Sequence, residues 1–295
     1  MKIKELNSCK NGEMVTIRVV AANKELKPKS SGGEFLSVEL VDDTGRIIFP
    51  IFDNVDIVYE KLEIGRPYTV EGSVNIWNGS AQLKNPRFKI IREYDASEFI
   101  AKYNVDNSLV EEFLQVIDSL KEPYKTIAIE SFDLNTTKER WNKFLTCPSA
   151  KKYHGNKLGG LFLHTYGVLK NVINIISLYE NGKIDYPDVN TVVNKDRLVL
   201  KAIIHDLMKT EEYVYDTYID RKDNVIGHII DGATFITIIN NKCNNILSNE
   251  ELEDIKYSLL SHHGEFGPYE PKTIEDWLLH LADMIDAKVV YELEK

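Results

Sequence analysis

The run Leu198-Val-Leu-Lys-Ala-Ile-Ile204 closes on the dipeptide His205-Asp206, with Lys209 one helical turn beyond Asp206. A stretch this apolar buries itself. A buried imidazole or carboxylate costs free energy unless it is paired, hydrogen-bonded or bound to a metal. The fold therefore has to bring partners to His205 and Asp206 from elsewhere in the chain.

Candidates are concentrated downstream, since all seven histidines follow residue 150. His164 lies in Leu158-Gly-Gly-Leu-Phe-Leu-His-Thr, on a helix otherwise apolar through Leu178. His228 follows Gly227 and opens a helix over Ile229–Ile239. His262-His263-Gly264 ends another over Glu250–Ser261. Asp283 sits inside the apolar segment that starts at Trp277. One core histidine usually signifies only a hydrogen bond, but five apolar helices each presenting His or Asp call for a common cause. The pattern predicts a metal site in the core of a helical bundle, built from facing helices. Imidazole and carboxylate without cysteine suit divalent ions such as Mn, Fe, Co, Ni or Mg, and the ligand count favours two six-coordinate ions over one tetrahedral zinc. Two such ions roughly 3.5–4 Å apart clamp a phosphoryl group and lower the pKa of a bridging water. His154 is expected in a polar loop, facing solvent or substrate. His280 and Asp286 are expected to support the ligands or the fold rather than to bind metal.

At 295 residues the chain is long enough for two domains. Apolar content of 43% with 28% charged residues is ordinary for a globular protein. No apolar run is expected to approach the ~20 residues of a membrane span, and the start lacks a signal-peptide core. Cys9, Cys147 and Cys243 are far apart and odd in number, which predicts reduced thiols in a cytoplasmic protein and excludes a disulfide frame. The net charge of −10 is carried entirely after residue 95, because residues 1–95 hold 14 basic and 14 acidic side chains.

That neutral first part reads as β structure. Met14–Ala22 and Glu34–Asp42 alternate and are rich in β-branched residues, Ile47–Phe52 follows a turn at Asp43-Thr-Gly, and a short helix-like stretch covers Val55–Leu62. Pro67–Ile76 is a fourth strand. Asn78-Gly79 turns the chain into Ala81-Gln-Leu and the last strand, Pro86–Ile91. Five strands with a helix between the third and fourth is the order of an OB-fold barrel. A loop over Asn23–Gly33 would present Lys24, Lys27 and Lys29, and Trp77, with Phe35 and Phe88, could supply stacking surface for single-stranded nucleic acid. After Asp95 the period changes to 3.6, with Leu109, Phe113, Val116, Ile117 and Leu120 on one face. Helices continue to the end, broken near Asn181, Pro187, Asn224 and Gly264–Pro271, with no strand expected. The organisation is thus an OB-fold over 1–95, a helical connector over 96–122 and an all-α bundle over 123–295.

The ordered series His164, His205-Asp206, His228, His262-His263 and Asp283 resembles the HD-domain metal phosphohydrolases, in particular those holding two metals. Together with the preceding OB-fold, the whole chain is similar to the YhaM family of bacterial 3′→5′ exoribonucleases. Leu163 departs from the polar or acidic residue that the resemblance leads one to expect there. By that resemblance His164, His205, Asp206 and Asp283 hold a first metal, Asp206 bridges to a second on His228, His262 and His263, and Lys209 meets a phosphate oxygen. The implied reaction is hydrolysis of phosphodiester bonds of single-stranded RNA, possibly ssDNA as well, by a metal-activated hydroxide with Mn2+ as the first choice. The implied protein does not engage membranes and is open to homo-oligomer formation. Two rival readings remain. One is an HD phosphohydrolase of nucleotides or cyclic dinucleotides that uses its OB-fold for assembly. The other is a nucleic-acid-binding module with an inactive HD site.

Overall fold

The computed structural model describes every residue except 152–154, 181–186, 224 and 295. His154, Asn181 and Asn224 therefore lie outside the described residues. The chain divides into two compact units, Met1–Lys102 with Val214–Asp220, and Tyr103–Tyr213 with Arg221–Lys295.

In the first unit, β1 (Met14–Pro28), β2 (Glu34–Asp42), β3 (Gly45–Ile51), β4 (Pro67–Trp77) and β5 (Ser80–Ile90) form one antiparallel sheet in the order β3-β2-β1-β4-β5. Strand β1 makes this curvature possible. Its first half, Met14–Val20, pairs with β4, and its second half, Val20–Pro28, pairs with β2 across a bulge between Ala21 and Asn23. A bulge bends a strand and increases its twist, so one strand serves two neighbours as the sheet curls. The inward positions Ile17, Val19, Leu36, Val38, Leu40 and Val70 are fully buried, and β3 approaches β5 on the far side. Helix α1 (Val55–Lys61) lies between β3 and β4. Asn78 and Gly79 both take positive φ, as a tight hairpin turn requires.

Two local expectations change here. The stretch Asn23–Pro28 is strand, not loop, and the connection is only Lys29–Gly33. Its alternation is invisible in the sequence because the ribbon beyond the bulge is largely solvated, so no face needs to be apolar. Likewise Ala81 and Ile90 belong to one continuous strand. Pro86 is tolerated within it because β5 ends the strand order and because Pro86 falls at a bulge, between the Glu71–Arg87 and Ser73–Lys84 pairs.

In the second unit, α2 (Asn107–Ser119), α3 (Tyr124–Ser131), α4 (Glu139–Thr146) and α5 (Gly160–Tyr179) meet around Phe113, Phe132, Trp141, Phe144 and Phe162, with ring centroids 4.9–6.0 Å apart. Helix α5 is long and apolar enough to cross a membrane, contrary to the expectation that no run approaches that length. Here it is a core helix. Val168, Val172 and Ile176 pack with Leu198 and Ala202 of α6 (Lys195–Ile204) and with Leu279 and Ala282 of the last helix. After α6 come α7 (Lys209–Glu212), α8 (His228–Lys242), α9 (Asn249–Ser261) and α10 (Ile274–Leu293). A further departure is a minimal pair of two-residue strands, Tyr213–Val214 and Asp220–Arg221, where only helix was expected.

Candidate metal centre

Each ligand candidate sits where a helix starts, ends or faces the core. His164 is buried one turn into α5. His205 and Asp206 follow α6 at its C-terminus, where i→i+3 bonds from Leu207 to Ile204 and from Lys209 to Asp206 tighten the chain. Both side chains are about 1% exposed. His228 is the first residue of α8, after Gly227 at φ 119°, a conformation suited to glycine alone. His262 and His263 leave the end of α9 just before Gly264 at φ 56°. A Cβ on Gly264 would stand 2.5 Å from the His280 ring, whose Nδ1–H donates to the His262 carbonyl at 2.7 Å. His280 thus fixes the turn that aims the two rings.

The donor atoms form two adjoining groups: His164, His205 and Asp283, and Asp206, His228, His262 and His263. Asp206 joins them. Its Oδ2 lies 3.3 Å from Nε2 of His164 and 3.3 Å from Nε2 of His205, while its Oδ1 lies 3.3 Å from Nε2 of His228 and 3.6 Å from Nε2 of His262. His164 Nε2 is also 3.1 Å from Asp283 Oδ1 and 3.4 Å from His205 Nε2. Donors held about 2.1 Å from one ion at right angles lie about 3.0 Å apart, so these spacings are close to those of a coordination shell.

The Nδ1 atoms are committed elsewhere. His205 donates to Ala202 O at 2.8 Å, His262 to Leu259 O at 2.7 Å, His164 to Asp286 Oδ2 at 2.7 Å and His228 to Glu212 Oε2 at 2.6 Å. A ring whose Nδ1 carries the proton presents a bare Nε2 lone pair, the form that binds metal. Asp206 Oδ1, His228 Nε2 and His262 Nε2 are buried there without hydrogen-bond partners. Each such atom costs about 1–3 kcal/mol, and three facing one another are accounted for by a cation. The residues present fit a divalent metal.

The same contacts set the ionisation of the site. Burial works against the Asp206 carboxylate, but Lys209 and the His205 and His164 rings hold it ionised well below the usual range. Burial likewise opposes charge on His164, yet Asp206, Asp283 and Asp286 raise it well above the ordinary imidazole value. Burial and the neighbouring His262 push His263 down to about 3, so its ring is neutral at physiological pH. Lys209 Nζ reaches Asp206 Oδ2 at 2.7 Å.

All seven expected ligands therefore converge on one locus. Glu212 escaped the sequence reading, because in Lys209-Thr-Glu-Glu it resembles any acidic residue on a short solvated helix. The lysines expected to touch nucleic acid do not act together. Lys24 reaches the Tyr59 carbonyl and lies over its ring, Lys27 pairs with Glu25 on its own strand, and Lys29 lies over Phe52. Trp77, 63% exposed, and Phe52, 55% exposed, line one groove of about 860 Å³ with Asn75, Gln82 and Lys84. Phe52, not singled out in the sequence, is its second exposed ring. Phe88 instead packs edge-on against Tyr68 in the barrel.

Residues 12–91 match the family described as OB-fold nucleic acid binding domain, and residues 161–288 match the HD domain. The chain is similar to the 3′-5′ exoribonuclease YhaM of Oceanobacillus iheyensis, 28% identical over 269 residues that cover 88% of this chain and 80% of that one. The resemblance read from the sequence holds on both halves: an OB-fold nucleic-acid-binding domain precedes a helical HD domain. The HD-domain match and the buried His/Asp donor set together support a metal-dependent phosphohydrolase.

Proposed function

We propose that this chain is a metal-dependent phosphodiesterase, a 3′→5′ exoribonuclease that degrades single-stranded RNA with two divalent ions, Mn2+ first among them, and that can accept ssDNA. The observation carrying the two-metal reading is the division of Asp206, whose Oδ2 lies against the His164 and His205 rings of one donor group and whose Oδ1 lies against the His228 and His262 rings of the other. The RNA assignment is supported by the relative named as a 3′-5′ exoribonuclease and by the OB-fold match.

In this reading His164, His205, Asp206 and Asp283 would hold one ion, and Asp206, His228, His262 and His263 would hold the other. Bound divalent ions neutralise phosphate charge and make water a nucleophile at neutral pH. The chain's own groups prepare that chemistry. Asp206 stays ionised beside Lys209, the neutral His263 keeps its lone pair, and the buried walls exclude bulk water and strengthen every charge interaction. Lys209, held against Asp206, is assigned to a phosphate oxygen when substrate is bound. On the OB-fold, Trp77 and Phe52 stack bases and Lys29 faces the backbone.

The test is a timed digest of 3′- and 5′-labelled single-stranded RNA and DNA with Mn2+, Mg2+, Co2+ or Ni2+. Mononucleotides released from the 3′ end of RNA are expected. Hydrolysis of cyclic dinucleotides or nucleotides with RNA left intact would replace this reading with the small-substrate one.

A further inference from the structure

His164, His205, His228 and His262 divide in a regular way by what holds their Nδ1 atoms. In each donor group one ring is held by a backbone carbonyl at its own helix end, His205 by Ala202 and His262 by Leu259. A second ring in each group is held by a carboxylate, His164 by Asp286 and His228 by Glu212. The two carboxylates lie on different elements, α10 and α7.

Their settings also differ. Asp286 is one turn after Asp283 on α10, so the two aspartates grip opposite nitrogens of His164, at 2.7 Å and 3.1 Å. Its Oδ1 occupies the space that a side chain on Gly167 would take. Glu212 uses Oε2 twice, accepting the backbone N–H of His228 at 3.0 Å and its ring Nδ1–H at 2.6 Å, while Oε1 takes Arg221 Nε at 2.8 Å. It caps α8, whose preceding Gly227 has no side chain to do so, and sets the ring angle in the same contact.

A carboxylate behind an imidazole raises its basicity and fixes its tautomer more strongly than a carbonyl does. The geometry points to Asp286 and Glu212 as positioning residues that set the loading of the two metal positions separately, Asp286 for the His164 position and Glu212 for the His228 position. Metal supply could then change the occupancy of one position while the other stays filled.

This rests on the two-metal reading above, and metal binding alone tests it. The full-length protein, freed of metal by chelation, is titrated with Co2+ and followed by calorimetry and visible absorption. Two binding steps are expected. Glu212→Ala weakens one step by about 10–100-fold and leaves the other in place, and Asp286→Ala does the reverse. His228→Ala, which removes the step governed by Glu212, identifies which is which. Glu212→Gln and Asp286→Asn keep an acceptor oxygen, so they fall between wild type and the alanine variants and carry the test if an alanine variant unfolds. No Co2+ binding by the wild type would sink the metal reading itself. Two steps in the wild type, with both variants weakening both steps equally or neither, would overturn the separate assignment and leave the proposed function standing.

Discussion

Gly167 on α5 leaves the space that the Asp286 carboxylate fills: a Cβ at Gly167 would lie 1.9 Å from Asp286 Oδ1. The other oxygen of that carboxylate holds Nδ1 of His164, so an atom missing from one helix lets an aspartate on another orient a ligand. Gly167→Ala should therefore act at the metal, lowering divalent-ion affinity and turnover by about 10-fold or more. Gly232 on α8 is the control, because a Cβ there meets only Leu259 at an ordinary 3.8 Å. Gly232→Ala should leave activity unchanged and stabilise by about 0.5–1 kcal/mol. Equal effects of the two substitutions in metal titration and thermal unfolding would refute this account.

Asp206 belongs to one donor group and reaches the His164 and His205 rings of the other through Oδ2, 3.3 Å from each. Asp206→Ala should remove both metal-binding steps and reduce turnover by more than about 100-fold, beyond the loss of an outer partner. Metal content of the purified variant and its rate on labelled RNA check this together. Near wild-type turnover would contradict the whole site.

Metal binding should release protons. His164 is raised well above its ordinary value by three carboxylates, so in the metal-free protein it keeps its proton to higher pH than an ordinary imidazole. A cation must displace that proton. Affinity should then rise with pH until His164 loses its proton unaided. Calorimetry in buffers of different ionisation enthalpy reads the proton count, and a buffer-independent heat would be the contrary result. The sign for the metal-free fold is opposite. A raised imidazole stabilises below its unfolded pKa, and that contribution disappears as pH rises through the folded value.

Lys201 is fully buried on α6, where Glu275 of α10 at 2.6 Å and Asp254 of α9 at 2.5 Å compensate its charge, with Arg197 completing the cluster. Lys201→Ala leaves two carboxylates short of a partner and should cost about 3–5 kcal/mol, seen as a lower Tm. Burial alone would raise the Glu275 pKa, but Arg197 and Lys201 lower it. Its stabilising contribution is present above the unfolded carboxyl pKa and is lost as pH falls through the lower folded one. The variant should lose part of that acid dependence. A Tm and acid profile like the wild type's would show the cluster to be dispensable.

On the OB-fold, Trp77→Ala and Phe52→Ala should each weaken single-stranded RNA binding by about 1–3 kcal/mol, the range for one stacked base. Fluorescence anisotropy with labelled oligonucleotides measures this, and Lys27→Ala serves as a control with a smaller, salt-dependent effect. Unchanged affinity in both aromatic variants would place the RNA elsewhere.

The sequence by itself determined that residues from 14 to 90 form a barrel-like sheet, that helices follow, and that seven His and Asp side chains in apolar settings call for partners. Those properties are local or periodic. Alternation marks a half-buried strand, and an imidazole in an apolar helix demands a partner wherever the chain runs. Tertiary structure alone decided how the partners divide. Which oxygen of Asp206 faces which ring depends on where α6 tightens into its final turn, and the roles of Glu212, Asp286 and Gly167 depend on helices meeting far from one another in sequence. The same holds for Lys24, Lys27 and Lys29. They read as one basic loop, but a bulge at Ala21/Asn23 extends β1 through the first two and gives each of the three a different neighbour. A register shift is set by cross-strand pairing, which no single stretch of sequence contains.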